Sequence, residues 1–354
     1  MIERKDLQAA VSAGIVTESQ AASLAALADS RRGARENLAP GDEPFELFKG
    51  FNEIFIVVGL VILAMGWIAV TGVSIGTNLG GTMGRITLYA VIGAGVLWAL
   101  AEYFIRRRRM VAPAIALTVL FAGNAAAGLN AWLAQPFMVM QNDLTSIPLP
   151  LLLTTAAVFV FWFRFRVPVA LAFVALGLFA AAVVQSAAGG EAPGDLRDFF
   201  LLSAGSNFAW LTLALGVATF AVAMMFDMSD PHRVTRRAAN GFWLHVIAAP
   251  AIVNTIALTL LSSDSAGAMG LLIAFLGLIA LIAMIIDRRS FLITGVGYVV
   301  AVATTVGDAG GTAMAILILG ITLLMLGAFW ERIRAVLLRG LAPFLPLSKL
   351  PPTA

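Results

Sequence analysis

Residues 86–105 read ITLYAVIGAGVLWALAEYFI, and residues 106–109 are all arginine. About 20 predominantly apolar residues are enough for an α-helix to cross a bilayer, at a rise of about 1.5 Å per residue. Lysine and arginine collect in the short loops on the cytoplasmic side, because they resist translocation. The stretch therefore predicts a membrane-spanning helix whose carboxyl end faces the cytoplasm.

The same length and apolar character recur along the whole chain. Ten runs qualify as spans, and we number them first to tenth in chain order: 54–73, 86–105, 111–133, 147–163, 167–187, 206–226, 241–261, 267–286, 291–307 and 311–330. The ninth is the weakest candidate, because it is short and rich in threonine and glycine. The sequence therefore predicts an all-α fold, a polytopic membrane helix bundle of about ten transmembrane helices.

The basic residues give an independent check on this count. Arginine clusters follow the second, fourth, sixth, eighth and tenth spans, whereas the loops on the other side hold only Arg85 and Arg197. Those other loops carry acidic residues instead: Asp143, Glu191, Asp195, Asp198, Asp264 and Asp308. One span more or fewer would place arginine clusters on both faces of the membrane. We therefore expect both termini in the cytoplasm (N-in/C-in).

Composition excludes several classes of protein. Charged residues make up 12% of the chain and apolar residues 60%, whereas soluble globular proteins are about 25% charged. This excludes an ordinary water-soluble enzyme, a nucleic-acid-binding protein and a disordered chain. The chain has no cysteine and two histidines. The side chains needed for thiolate chemistry and for a metal site built from several imidazoles are therefore missing. We therefore expect no metal and no cofactor.

The segment before the first span, residues 1–50, predicts a cytoplasmic helical hairpin followed by a linker. Gly14 can end a first helix in a left-handed conformation, and Thr17 with Gln20 forms the pattern of a capping box at the start of a second. Residues 31–42 form the linker. Two helices of this size bury too little surface to be stable alone. They therefore lie against the membrane domain or a second copy of the chain, or they dock a cytoplasmic partner.

The transmembrane domain over residues 51–330 is followed by a tail over residues 331–354. Apolar residues at helical spacing form one stripe of this tail, and the arginines lie off that stripe: Ile333, Val336, Leu337 and Leu341 against Arg332, Arg334 and Arg339. A basic amphipathic segment of this kind can lie in the headgroup layer against anionic lipid. We therefore expect a cytoplasmic amphipathic tail.

A short motif occurs at the ends of two spans. AMMFD over residues 223–227 ends the sixth span, and AMIID over residues 283–287 ends the eighth. Both lead into arginines and a further helix. Duplicated helical hairpins would explain the match, and transporter folds often contain such repeats. The alternative is that an acid followed by a base reflects local pairing and membrane topology.

Ionisable side chains are nearly absent from the middle of the spans, although such groups are usually functional there. Those closest to the spans fall near helix ends, where their heads can reach the interface: Glu53, Glu102, Arg164, Asp227 and Asp287. Carboxylate-based proton or sodium coupling is therefore disfavoured. No nucleophile elbow, phosphate-binding loop or metal-ligand cluster occurs. We expect no catalytic residues and no enzymatic activity.

The third and seventh spans carry the unusual polar residues. His245 is the titratable group inside a span, and the same helix holds Asn254 and Pro250, which can kink it and free a backbone carbonyl. The third span holds Asn124 and Asn130. The histidine and the three asparagines are either structural, through interhelical hydrogen bonds, or, together with Pro250, candidates for lining a solute or lipid path. A polar cavity for such a path would lie between these two spans. His245 and Asn254 lie on nearly opposite sides of their helix, so they do not share one small site.

The amino-terminal run with Leu7, GIVTESQA over residues 14–21, and Leu24 is followed by a linker and many spans. This layout resembles a bacterial family of multipass membrane proteins with a short cytoplasmic helical-hairpin amino terminus and no assigned activity. The resemblance covers about the first 30 residues and the general layout. It implies a multi-pass protein of the bacterial inner membrane and carries over no site residues.

Two hypotheses for the function remain open. The first is permease-like handling of a small solute or a lipid, which the span count, the hairpin motif and the kinked seventh span favour. The second is a non-catalytic structural or regulatory component that acts through protein partners, which the scarcity of intramembrane charge favours. The expected partners are the lipid bilayer, a small solute or lipid ligand, and a second copy of the chain or another membrane protein, but no nucleic acid.

Overall fold

The computed structural model describes residues 4–17, 19–21, 23, 24, 27, 52–76, 81–190, 195–205, 207–233, 235–263, 265, 267–306, 309–343 and 345–351. It is 83% helical, without a strand among the described residues, so the all-α prediction is confirmed. The chain divides into two compact units, Met1–Pro44 and Phe45–Ala354. The linker predicted over residues 31–42 lies outside the described residues.

The first unit contains helix α1 (Arg4–Ser12). Gly14 follows it with a φ of 70°, and the Ile15 amide donates to the Ala10 carbonyl over 2.9 Å. The Thr17 amide donates to Gln20 Oε1 over 3.0 Å, and the Gln20 amide donates to Thr17 Oγ1 over 3.3 Å. The left-handed glycine and the capping box are therefore both confirmed.

The second unit is built from long helices, which we number in chain order: α2 (Asn52–Gly76), α3 (Thr82–Ala101), α4 (Ala112–Leu133), α5 (Pro136–Met140), α6 (Pro148–Phe165), α7 (Val169–Ala188), α8 (Phe208–Ser229), α9 (Arg236–Leu261), α10 (Ala268–Ile286), α11 (Ser290–Val306) and α12 (Ala309–Leu341). A π-helical turn, Glu102–Arg107, continues α3. Short 3-10 turns occupy Leu196–Phe199, Leu202–Ala204 and Leu347–Lys349.

Eight of the described helices are long and apolar enough to cross a membrane, namely α2, α3 with its π-helical turn, α4 and α6 to α10. They match the first eight predicted spans, and the chain is accordingly a multi-pass helical bundle. The apolar described part of α11, Ser290–Val300, is shorter. Helix α12 is kinked at Phe329, where φ is −112° and ψ is 17°.

Helix α9 occupies a central place in this unit. It packs most extensively against α8 and also contacts α7, α10 and α11. An apolar cluster formed by α8 to α11, with Val253, Ile279 and Phe291 buried in it, surrounds its middle. A separate aromatic cluster holds α3, α4 and α6 together, through Trp98 and Phe161.

The turns that carry arginine clusters share one backbone feature. The turns after α3, α6, α8 and α10 each hold a non-glycine residue with a φ of 53–54°: Arg109, Arg166, Arg233 and Asp287. Residues with a side chain seldom adopt this left-handed conformation. The left-handed residues do not fall at equivalent positions of the two motifs, because Asp287 ends its motif whereas Arg233 lies six residues after Asp227. The repeat suggested by the sequence motif therefore stays a prediction.

Two sequence predictions at helix ends are wrong. Arg334 is predicted to lie off the apolar stripe of a tail in the headgroup layer, but it is 1% exposed, and Trp330 and Leu338 are buried on the same face. The tail begins as a continuation of α12 and not as a separate segment. Glu53 is predicted to reach the interface, but it is buried and accepts hydrogen bonds from the Val111 and Ala112 amides, which caps the start of α4.

Candidate functional site

A buried charge cluster is centred on Asp227, near the end of α8. His245 Nε2, from α9, lies 2.9 Å from Asp227 Oδ2. Arg288, from the α10–α11 turn, donates through Nε to Oδ2 over 2.9 Å and through Nη2 to Oδ1. The same Nη2 donates to the Ala238 carbonyl of α9 over 2.9 Å. One carboxylate thus joins three parts of the bundle.

The second half of the charge cluster is centred on Asp287. Arg233 Nη1 lies 2.7 Å from Asp287 Oδ2, and Arg233 Nη2 donates to the Asp287 carbonyl over 2.8 Å. Trp330 of α12 donates from Nε1 to Asp287 Oδ1 over 2.7 Å. The pairing is crossed, because each acid of the repeated motif binds the arginine from the other motif's turn. Burial, followed by the charge of Arg288, lowers the pKa of Arg233 below its usual value.

Arg334 attaches α12 to the end of α10. Its Nε donates to the Met284 carbonyl over 3.0 Å and its Nη2 to the Ile285 carbonyl over 3.4 Å, and it also donates to the Pro351 carbonyl. The last carbonyls of a helix lack partners within the helix and carry partial negative charge. A guanidinium group is therefore well placed there, although it is buried.

Gly241 allows the carboxylate to pack against α9. A Cβ atom at this position would lie 2.2 Å from Asp227 Oδ1 and 3.2 Å from the Ala223 carbonyl oxygen. Only glycine leaves that space, so the local sequence of α9 and the position of Asp227 depend on each other. The sequence prediction that Asp227 reaches the interface is wrong, because the residue is 6% exposed.

An apolar cavity of about 230 Å³ lies beside the charge cluster, between α7, α8 and α9. It is lined by Ala175, Leu176, Phe179, Phe200, Thr212, Leu215, Gly216, Thr219, Val246, Ile247, Pro250 and Ala251. Phe200 belongs to the segment between α7 and α8, which Thr259 of α9 holds by accepting a 3.0 Å hydrogen bond from the Leu202 amide. No ionisable side chain occurs among the described residues that line the cavity.

The structure separates the five predicted path residues. Asn124 of α4 donates to the Ala90 carbonyl of α3 over 2.7 Å, and Asn130 donates to the Ala126 carbonyl of its own helix over 2.8 Å. The contact of Asn124 is the interhelical hydrogen bond of the structural alternative, whereas that of Asn130 stays within its own helix. His245 joins the charge cluster, whereas Pro250 lines the cavity.

Asn254 is partly buried one turn beyond Pro250. The apolar cavity lies between α7, α8 and α9, and the polar cavity between the third and seventh spans (α4 and α9) stays a prediction. Sequence reasoning missed the partnership of Asp227, Asp287, Arg233 and Arg288 altogether. The repeated acid-then-arginine motif is the available signal, but by itself it leaves both duplication and local pairing open.

Comparison with protein-family models, with curated proteins and with solved structures found no match for this chain. The resemblance of the amino-terminal segment to a bacterial membrane-protein family therefore stays a prediction. The charge cluster and the apolar cavity are the features of the described residues that bear on function.

Proposed function

We propose that this chain is a permease-like protein of the bacterial inner membrane that handles a small apolar solute or a lipid. In this proposal ten helices span the membrane, with both termini in the cytoplasm. Helices α11 and α12 coincide with the ninth and tenth predicted spans. The turns after α3, α6, α8 and α10 carry the arginine clusters, as the positive-inside rule requires of cytoplasmic turns.

The apolar cavity is the observation that carries the proposal. Pro250 lies inside α9 and lines the cavity, and a proline within a membrane helix leaves a backbone carbonyl without its usual donor. The cavity is smaller than the roughly 300–1,000 Å³ typical of sites for drug-sized ligands. Its size and its apolar walls favour a small apolar molecule or part of a lipid chain as ligand.

The arrangement of the charge cluster supports a role without catalysis. Asp227 already accepts hydrogen bonds from both His245 and Arg288, so its carboxylate is held as a structural ion-pair partner and not as a base near a nucleophile. Activation of a nucleophile would require a hydroxyl or thiol within hydrogen-bond reach of the imidazole. Nε2 of His245 is bonded to Asp227, and Nδ1 has no hydroxyl within hydrogen-bond reach among the described residues.

The experiment fills the cavity and asks whether a bound molecule is lost. Native mass spectrometry is applied to the protein released from its own membrane, as wild type and as Ala175→Leu. Ala175 lines the cavity, and the larger side chain takes up part of its volume. We expect the wild type to retain a low-mass ligand and Ala175→Leu to lose it.

The matched control is Ala218→Leu, which adds the same side chain at an exposed position of α8 outside the cavity. It should retain the ligand at the wild-type level. Equal retention by all three proteins would show that the cavity does not hold the ligand. A stoichiometric protein partner in place of a small molecule would favour the structural or regulatory alternative, including a second copy of the chain.

A further inference from the structure

The imidazole ring of His245 is completely buried. Its ring centroid lies 5.4 Å from that of Phe220 and 5.7 Å from that of Phe291, each in an edge-on arrangement. Nε2 faces Asp227, whereas Nδ1 has no hydrogen-bond partner among the described residues. A buried polar atom without a partner is rare and calls for an explanation.

The contacts of Asp227 fix the proton on Nε2. The guanidinium of Arg288 is always protonated and binds both carboxylate oxygens, which is the arrangement of an ionised carboxylate. An ionised carboxylate can only accept, so His245 Nε2 must donate. In the neutral ring, Nδ1 then carries a lone pair and no proton, in surroundings that include the rings of Phe220 and Phe291.

Proton uptake at Nδ1 conflicts with this closed arrangement. It would create an N–H bond with no acceptor, and leaving a buried donor unsatisfied is costly. It would also add a positive charge to a cluster that already holds Arg233, Arg288 and Arg334 against Asp227 and Asp287. Asp227 cannot compensate fully, because Arg288 already neutralises it.

The elements around His245 carry more positive than negative charge. The charged and titratable groups on the elements packed against His245 are Asp227 and Asp230 of α8 and its turn, His232 and Arg233 of the same turn, Arg236 and Arg237 of α9, Asp287, Arg288 and Arg289 of the α10–α11 turn, and Tyr298 of α11. Arg334 of α12 adds a further positive charge that acts on Arg233. Helix α7 carries no charged residue. Asp230 and Arg236 add one charge of each sign, so the excess of positive charge persists.

We propose that His245 Nδ1 is a proton-binding site, and that its protonation opens the charge cluster. Proton binding and the closed cluster disfavour each other, so lowering the pH shifts the population towards an arrangement in which Nδ1 reaches water. Arg288 then loses its fixed contacts to α8 and α9, and the ends of α10 and α11 are released from them.

The apolar cavity begins next to this site. Val246, the residue after His245, lines the cavity, and so does Thr219, the residue before Phe220. Opening the charge cluster therefore changes the packing at one end of the cavity. If the protein is a permease, the proton is its coupling ion, and this reading rests on the proposed function. The proton site itself needs no substrate.

The test measures access to the closed cluster through a single thiol. The chain has no cysteine of its own, and the Ser290 hydroxyl oxygen is buried at the start of α11, so Ser290→Cys reports opening. Its rate of alkylation by a membrane-permeant maleimide is divided, at each pH, by the rate for Ser229→Cys. Ser229 is exposed at the end of α8 that carries Asp227. Dividing by its rate therefore removes the pH dependence of maleimide chemistry.

The full chain is measured in lipid vesicles from about pH 8 to about pH 5, a range that brackets histidine protonation. We expect the rate ratio to rise as the pH falls, by up to about tenfold per pH unit for one linked proton. The same ratio in His245→Gln should not change with pH, because glutamine keeps an N–H donor for Asp227 but binds no proton. A flat ratio in the wild-type background, or an unchanged pH dependence in His245→Gln, would overturn the proposal.

A second measurement does not depend on whether His245→Gln folds. Solid-state NMR of ¹⁵N-histidine-labelled His232→Gln protein observes His245 alone, because the chain has two histidines. We expect a neutral ring with the proton on Nε2 at high pH, and protonation of Nδ1 over the pH range in which the alkylation ratio rises. A proton on Nδ1 at high pH, or none gained as the ratio rises, would refute the proton site. Neither measurement uses a ligand, so this refutation is distinct from failure of the cavity experiment.

Discussion

Glu102 and Asp227 both lie near the end of a membrane-spanning helix and both precede arginines in the sequence. Glu102 binds Arg106, one helical turn away, over 3.1 Å, and Arg164 of α6 over 2.8 Å. Its side chain is 32% exposed, and those of the two arginines are more exposed still. Asp227 binds His245 and Arg288 and is 6% exposed.

The difference shows that an acid-then-arginine motif does not determine its own partner. Glu102 pairs with Arg106 four residues on, as one alternative from the sequence held, and also with Arg164, 62 residues on. Asp227 and Asp287 exchange arginines between hairpins over similar sequence separations of 61 and 54 residues, so the two sites differ chiefly in burial. Helix packing decides between the two outcomes: Gly241 leaves room for a carboxylate beside α9, whereas Glu102 lies at the exposed end of α3.

The largest expected loss of stability follows from removing an arginine of the buried site, and the matched change at the exposed site should cost little. Arg288→Met leaves the Asp227 carboxylate buried without its bidentate partner, and breaking a buried pair in this way costs about 3–5 kcal/mol. Arg106→Met removes an exposed pair at i and i+4, which contributes only about 0.3–0.5 kcal/mol. Equilibrium unfolding in mixed micelles measures both free energies of unfolding. Similar losses in the two variants would contradict the distinction between the buried and the exposed site.

A smaller effect is expected from closing the space beside Asp227. Gly241→Ala places a Cβ where Asp227 Oδ1 now lies, and overpacking of this kind typically costs about 1–3 kcal/mol. The carboxylate cannot move away cheaply, because Arg288 and His245 hold it. Gly270→Ala in α10 is the control, since no atom lies within 4 Å of the place that its Cβ would take; it should be neutral or stabilise the helix by up to about 1 kcal/mol. A destabilised Gly270→Ala with an unaffected Gly241→Ala would show that the packing at Asp227 is not tight.

The sequence was a good guide to local structure. Runs of about 20 apolar residues predicted eight helices to within a few residues, because length and composition alone decide whether a helix can cross a bilayer. Gly14 and the pair of Thr17 and Gln20 also behaved as predicted, because a left-handed cap and a capping box involve only neighbouring residues. The sequence predicts one shared path for His245 and Pro250, whereas the structure places the first in the charge cluster and the second beside the cavity.

The sequence does not predict which charged residues pair with each other when they lie far apart along the chain. A charged residue near a helix end can extend to the interface or turn inwards, and its own helix does not decide which. The sequence pattern places Asp227, Arg334 and Glu53 at the interface, but all three are buried. Their partners come from other helices or from the segment after α12, so only the packing of the bundle reveals them.

The smallest expected effect concerns a carboxylate that is neither in the buried cluster nor paired with arginine. Asp143, between α5 and α6, accepts hydrogen bonds from the Thr145 hydroxyl over 2.6 Å and from the Thr145 amide over 3.0 Å. These two hydrogen bonds, the hydroxyl first, lower the pKa of Asp143. Because the folded-state pKa lies below that of the unfolded chain, the stabilisation is present at neutral pH and is lost as the pH falls through the lowered pKa.

Replacing Thr145 tests whether a local hydroxyl can do for this loop what Arg288 does for Asp227. Thr145→Val removes the larger cause of the shift and keeps the backbone amide, so the pKa of Asp143 should rise part of the way to its ordinary value. Thr145→Ser keeps the hydroxyl and should leave the pKa low. Carboxyl titration by NMR of ¹³C-aspartate-labelled protein, with the Asp143 signal assigned from Asp143→Asn, measures the shift. An equal rise in both variants would contradict the prediction, because it would show that the hydroxyl of residue 145 alone does not keep the pKa of Asp143 low.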